Sequence, residues 1–352
     1  MRVLVLGDLA SPHALRWAEA MAGQGHEVER VGFGEPTPSE VDAVELGSRT
    51  VSNGRYLRAL PRWRAIARRF RPDLVHAHFV SSYGLMAALE SHRAPVVQFA
   101  WGSDILWSPR RPAAQQRLVR YALRRAAAVV VDAEEVGDAV AGLAPGTPQV
   151  RVTFGPERSW TTAPREATTR ILSPRQLKPF YHVDAIVGAF TRVAEDRPAW
   201  VLDVLTGGDD ASGLRAAVSA TGLGERVTFL PRLTRAGLQA QMLSAEIVCS
   251  VPDSDATSVA LLEGMASGAF PIVSDLPANR SWVTDGENGL VVPAGDVERL
   301  AAALRVAIDD EELRRRAART NRALIAERGT WEQAVTAVDE LSRQLCEAAR
   351  PL

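Results

Sequence analysis

The chain has 352 residues, 46% hydrophobic and 24% charged, with a formal net charge of −1, enough for two domains with buried cores and ordinary for a globular protein. No run approaches the ~20 apolar residues of a membrane span, and nucleic-acid binding is not expected, because neither a basic overall balance nor an aromatic-basic sheet motif is present. Cys249 and Cys346 form no disulfide framework and no metal-ligand spacing, and MRVLVLGD reads as a first strand instead of a signal peptide, so a cytoplasmic location is expected.

In chain order, RVLVLG (2–7) precedes a helical pattern from Pro12 to about Gly25. VERVGF, a loop and an Arg-rich helix over about 55–71 follow; then LVHAHF with a helix from about Ser82, PVVQFAW with one from about 113, and AAAVVVDA with one from about Glu134. Residues 155–169 (GPERSWTTAPREATT) break the alternation and read as a linker. It then restarts: RILSP, a helix near 183–196, WVLDVLTGG, a helix near 211–221, RVTFLP, a helix near 235–244, EIVCSVP, a helix near 258–267, FPIVSD and GLVVP. Helical stretches near 296–308, 311–327 and 331–349 close the chain. Continuous apolar runs alternating with helices predict right-handed crossovers and parallel sheets buried on both faces. The expected fold is therefore α/β: two Rossmann-like, doubly wound domains, 1–160 and 166–330, facing a cleft.

Ligands in such sheets lie beyond the carboxyl ends of the strands, so the residues after each run carry the candidate chemistry. After EIVCSVP comes Asp253-Ser254-Asp255-Ala256-Thr257-Ser258-Val259, then an apolar helix containing Glu263 and ending Met265-Ala266-Ser267-Gly268. The amides of Thr257, Ser258 and Val259 at a helix start offer unsatisfied donors at a positive dipole end, which suits a diphosphate. Glu263 is placed to accept from a ribose diol; N-capping plus a solvated glutamate is the plainer alternative.

This stretch, with seven residues between Asp255 and Glu263, resembles the signature of the retaining family 4 glycosyltransferases of the GT-B fold. The continuation FPIVSDLPANRSWVTDGENGLVVPAGDVERLAAAL is similar to that family's following elements. The resemblance implies that Asp255 lies near the transferred sugar and Glu263 binds the nucleotide ribose. It also implies a last helix, 331–352, that packs back on the N-terminal domain. Asp255 is one methylene shorter than the family's usual Glu, and Thr257-Ser258 stands where Phe-Gly is common. The loop Arg175-Gln176-Leu177-Lys178 corresponds to one in which the family carries an Arg and a Lys, although Lys178 comes early and Tyr181 falls closer to the usual position. Lys178 is the single lysine in an arginine-biased chain. Fixed cations there would stabilise a departing diphosphate. Gly207-Gly208 resembles the family's strand-end glycine pair, and Arg232 stands where the nucleobase is packed.

In the N-terminal half, Gly7-Asp8 and His13 follow the first strand, with Gly7 counted on the donor side and Asp8 and His13 on the acceptor side. Asp73-Leu74-Val75-His76-Ala77-His78 resembles a family strand in which His76 is expected to pack internally and His78 to face the cleft. Trp101-Gly102-Ser103-Asp104 stands where relatives have His-Gly-x-Asp; Asp104 either meets substrate or caps the turn that follows. The catalytic candidates are thus Arg175, Lys178, Asp255, His78 and Asp104, with Trp101 on the acceptor side and no metal or resident cofactor. A UDP- or GDP-sugar is the expected co-substrate, and a sugar, lipid-linked or small-molecule acceptor the partner. Residues 55–71 hold seven arginines and no acid, with Trp63 among their apolar positions and a break at Pro61. They form a candidate contact with an anionic membrane face. Epimerisation of a nucleotide-sugar, inverting transfer and a silent binding subunit remain as alternatives.

Overall fold

The computed structural model describes residues 1–48, 54–90, 94–106, 112–166 and 168–349. Residue 167 of the expected linker and residues 350–352 of the expected last helix lie outside the described residues. The chain divides into two units, Met1–Val152 with Gln333–Leu352, and Thr153–Glu332. Each is built on one all-parallel sheet.

The first unit contains β1 (Arg2–Leu6), α1 (Pro12–Gly23), β2 (Glu27–Phe33), β3 (Ala43–Gly47), α2 (Arg55–Phe70), β4 (Leu74–His78), a π-helix over Phe79–Gly84 and α3 (Leu85–Ala88). β5 (Val96–Phe99), α4 (Ser103–Leu106), α5 (Ala113–Arg124), β6 (Ala128–Val131), α6 (Glu134–Leu143) and β7 (Gln149–Arg151) complete it. The strand order is β3-β2-β1-β4-β5-β6-β7. Central strands β4, β5 and β6 are buried at every position, as their unbroken apolar runs predict. The edge strands β3 and β7 are partly exposed, so they make no apolar run and are not legible in the sequence.

The Arg-rich helix differs from its expected form. α2 continues through Pro61, whose ring lies on the exposed face. A helix-interior proline costs about 3 kcal/mol; burial of Trp63, Ile66 and Phe70, at about 1.5–3 kcal/mol each, outweighs it. Trp63 is fully buried and therefore is not part of any outer surface.

The closing helix α15 (Trp331–Ala348) docks on β4 and on His26, just before β2, in this unit. His26 Nε2 donates to Asp339 Oδ1 at 2.5 Å, and Cys346 Sγ reaches the carbonyl of Asp73. Ser342 spends its hydroxyl proton on Val338 O, 2.6 Å away, so His76 Nε2 is the donor in its 3.1 Å contact with Ser342 Oγ.

The second unit runs through α7 (Ser159–Thr162), β8 (Thr168–Ser173), α8 (Val183–Ala194), β9 (Val201–Leu205), α9 (Ser212–Ala220), β10 (Val227–Leu230), α10 (Arg235–Ser244) and β11 (Ala245–Ser250). It continues with α11 (Val259–Ser267), β12 (Phe270–Ser274), α12 (Pro277–Arg280), β13 (Leu290–Val292), α13 (Val297–Asp309) and α14 (Glu311–Arg328). The order β10-β9-β8-β11-β12-β13 places the ends of β9, β8 and β11 side by side. Alternation along the strands builds two cores: Ile171, Cys249 and Ile272 pack with α8 and α13, while Leu172, Val248 and Val273 pack with α11 and Trp160.

The first unit's leading segment ends at Val152 and not at residue 160. Residues 153–163 belong to the second unit because they pack on it: Trp160 sits in the core beside Leu262 and Ile325. Gly155 passes so close to Gly329 that a Cβ on it would lie 1.7 Å from the Gly329 carbonyl oxygen. No helix among the described residues is long and apolar enough to cross a membrane.

Candidate functional site

In the second unit the loop after β8 lies between those after β9 and β11, and its two cations part toward them. Arg175 reaches the β11 side, donating from Nη2 to Asp255 Oδ2 at 2.6 Å and from Nη1 to Ser258 Oγ at 2.9 Å. Its guanidinium also lies 4.1 Å from the ring centroid of Tyr181, the residue near the family's lysine position. Lys178 reaches the β9 side, where Nζ donates to Asp209 Oδ1 at 2.8 Å. Burial raises the Asp255 carboxyl above the usual carboxylate range, against the opposing charge and hydrogen bond of Arg175. Its neighbour Asp253 is engaged separately, by His182 Nε2 at 2.7 Å. Each acid of the Asp-Ser-Asp sequence thus has its own cationic or imidazole partner.

The helix opens at Val259, with Ser258 as N-cap, two residues later than a start at Thr257. Ser258 Oγ accepts from the Leu261 amide at 3.3 Å as well as from Arg175. Thr257, buried, precedes the cap, and Val259 is the first helical residue. The difference follows from the extended backbone of Ser258, φ −70° and ψ 110°, which lets the side chain turn back over the first turn.

Glu263 lies in the second turn of α11 with its side chain 4% exposed, ion-paired to Arg235. Arg235 opens α10 and also bonds Glu157 Oε2 at 2.7 Å, with its guanidinium 4.4 Å from the Trp160 ring centroid. Sequence patterning missed Arg235, Glu157, Asp209 and His182. Asp209 directly follows the glycine pair, which is the one local signal available; Arg235 meets Glu157, and His182 meets Asp253, only through folding. Gly207 and Gly208 have φ of +63° and +95°, and a Cβ on Gly207 would fall 2.7 Å from Gln176 Cγ in the cation loop. Arg232 is exposed beyond β10 and has no side-chain bond among the described residues.

In the first unit, β1 and β2 remain paired beyond the strand end. The Gly7 amide donates to Val31 O at 3.0 Å, so that amide is committed to the sheet and is not an open donor for a ligand. Asp8 Oδ1 accepts from the Ala10 amide at 3.0 Å, forming the turn that leads into α1. His13, exposed near the start of α1, lies 5.0 Å from the Trp101 ring centroid, which lies 5.8 Å from that of His78. His78 in turn stacks on Phe99 at 4.3 Å and 17°.

His76 and His78 contact the same Phe99 ring, because residues two apart on a strand share a face. An inward–outward split between them is thus ruled out. Position along the strand separates them instead: His76 is sealed under α15, whereas His78 ends the strand beside Trp101. Burial, aided by neighbouring histidines, lowers the pKa of His76 to about 3 and also that of His78. Among the described residues, neither ring nitrogen of His78 has a hydrogen-bond partner.

Asp104 is fully buried, and its two oxygens accept from backbone amides, Oδ1 from Trp101 at 2.9 Å and Oδ2 from Val80 at 2.7 Å. With both oxygens so engaged, Asp104 holds the Trp101 loop and the π-helix together.

Two family models match the chain: Glycosyl transferase 4-like over residues 2–133 and Glycosyl transferases group 1 over residues 156–324. An exopolysaccharide phosphotransferase of Streptomyces coelicolor is 33% identical over 155 residues, 43% of this chain but only 16% of that relative's length. A phosphatidyl-myo-inositol mannosyltransferase of Mycolicibacterium smegmatis is 26% identical over 333 residues, 86% of this chain and 81% of the relative. Among solved structures, Anabaena HepE in complex with UDP and glucose superposes with a TM-score of 0.81 at 16% identity, covering 98% of this chain and all of that one.

Proposed function

The chain belongs to the family 4 glycosyltransferases of the GT-B fold, and from that membership we propose that it transfers a hexosyl or N-acetylhexosaminyl group, with retention, from a nucleoside-diphosphate sugar to a hydroxyl acceptor. The observation that carries this reading is the pair of cations after β8: Arg175 is drawn to the start of α11 and Lys178 to the end of β9. A diphosphate bound between them would meet fixed positive charge and the first amides of α11 as its bond to the sugar breaks. Its leaving oxygen takes the acceptor proton while the anomeric carbon passes through an oxocarbenium-like state, so acceptor attack and departure occur on one face of the sugar. No metal enters this scheme. Turnover abolished by EDTA would refute that part.

Asp255, one methylene shorter than the family's Glu, serves in this reading to aim Arg175, to which it is bonded, while Glu263 holds the ribose. His78, whose ring nitrogens have no hydrogen-bond partner among the described residues, and Trp101 and His13 beside it form the acceptor side in the first unit. UDP and GDP are the donor bases proposed, consistent with the mannosyltransferase and UDP-bound relatives. The test is a thermal-shift panel of UDP-, GDP-, ADP- and dTDP-sugars, since a ligand that binds only the folded chain raises its melting temperature. With the donor found, Arg175→Ala and Lys178→Ala are each expected to lower kcat by about 10²–10³, the usual effect of removing one donor to a developing negative charge. Unchanged kcat in both variants would refute the assignment.

A lipid-linked acceptor met at an anionic, inner membrane face is favoured by the first unit's outer surface. α2 exposes Arg58, Arg62 and Arg68, and α5, which has no acid, exposes Arg117, Arg120 and Arg124. The same two helices carry Leu57, Leu118 and Tyr121, three of the four exposed large hydrophobics among the described residues. Salt-sensitive sedimentation with phosphatidylglycerol vesicles but not with phosphatidylcholine vesicles supports this; equal partition with both refutes it.

A further inference from the structure

We propose that Arg235 is a positioning residue for nucleotide binding, holding the carboxylate of Glu263 in the place from which it accepts the ribose hydroxyls. The inference rests on the donor reading above and extends it to a residue outside the sequence signature. Glu263 is all but enclosed, its side chain 4% exposed, and a carboxylate taken from water remains charged only with a counter-charge and hydrogen bonds. Arg235 supplies both, through Nη1 on Glu263 Oε1.

Arg235 is itself held from two further sides. Nη2 donates to Glu157 Oε2 at 2.7 Å, and the guanidinium lies 4.4 Å from the ring centroid of Trp160, which is 2% exposed. A side chain fixed by a second carboxylate and an aromatic ring is preorganised, so little rotamer freedom remains to be lost when a ligand arrives. One Nη serves each glutamate, so a single guanidinium ties the two carboxylates together. Glu157 and Trp160 lie in the segment that begins the second unit, so that segment supports the ribose site as well as connecting the chain.

The test compares ligands that differ by one hydroxyl. Isothermal titration calorimetry with UDP, 2′-deoxy-UDP, GDP and 2′-deoxy-GDP is carried out on wild type, Arg235→Ala, Arg235→Lys and Glu157→Gln, each variant first checked for a cooperative melt. In the wild type the ribonucleotide should bind more tightly than its deoxy counterpart. Arg235→Ala should weaken the ribonucleotide about tenfold, the equivalent of one charge-assisted hydrogen bond, and leave the deoxy form within about twofold, so the discrimination collapses. Arg235→Lys, with a charge but no fork, should fall between, and Glu157→Gln should give a smaller loss of the same kind.

Equal weakening of both ligands in Arg235→Ala would show a merely structural role and overturn the proposal. Tighter ribonucleotide binding would show that Arg235 competes with the ribose, and would overturn it too. A wild type that discriminates by the hydroxyl while Arg235→Ala discriminates equally well overturns the role of Arg235 alone. A wild type that binds none of the four nucleotides overturns the donor reading beneath it.

Discussion

Ser258→Ala separates the two bonds that meet on one hydroxyl. The substitution removes the N-cap of α11, whose contact with the Leu261 amide is long at 3.3 Å, a loss of about 0.5–1 kcal/mol. It also removes the acceptor of Arg175 Nη1 at 2.9 Å. Arg175 is only 10% exposed, so water replaces that acceptor poorly, and the loss adds about 1.5 kcal/mol. The sum, about 2 kcal/mol, corresponds to a fall of about 4–8 °C in the melting temperature of the C-terminal unit. In an Arg175→Ala background only the cap remains to be lost, so the same substitution should cost about 0.5–1 kcal/mol, a coupling of about 1.5 kcal/mol. Ser258→Gly should resemble Ser258→Ala less the cap loss, since glycine is tolerated at that position. Calorimetric or urea unfolding of the four corners of the cycle measures the coupling. Equal losses in the two backgrounds would refute the placement of Arg175 over the start of α11.

Three further outcomes are expected. The folded chain holds the Asp255 proton more tightly than the unfolded chain because burial raises its pKa. Stability relative to Asp255→Asn should therefore be highest below about pH 4 and decline as pH rises through the raised folded value, in urea titrations at stepped pH; a rising difference would contradict the burial argument. His76 is lowered from 6.5 to about 3, so its contribution is present above about pH 6.5 and is lost as pH falls toward 3. His76→Gln should remove up to about 5 kcal/mol of that acid sensitivity, and an unaltered acid limb of the melting curve would count against it. Gly207→Ala places a Cβ against Gln176 Cγ at φ +63°, which should cost at least about 1 kcal/mol and weaken nucleotide binding; a neutral result in thermal shift would show that the loop yields freely.

The sequence by itself determined the class of fold, because a parallel strand buried on both faces must be apolar throughout and so announces itself. β4, β5, β6, β8, β11 and β12 are all visible as such runs. It also marked the loops that end those strands, and with them Arg175, Lys178, Asp255 and Glu263. Edge strands β3 and β7 were not legible, since half-exposed segments keep polar residues. Nor was the continuation of α2 through Pro61, where tertiary burial of Trp63 overrides a local propensity. Tertiary structure alone decided partners. Asp104 is spent on two amides, His76 and His78 share one face, the two cations diverge to opposite neighbouring strands, and Arg235 meets Glu263, 28 positions away in the chain. Pattern reads the environment a residue needs, whereas pairing between charges distant in sequence depends on which strand ends adjoin in the sheet, and the order β10-β9-β8-β11 is a property of the folded chain.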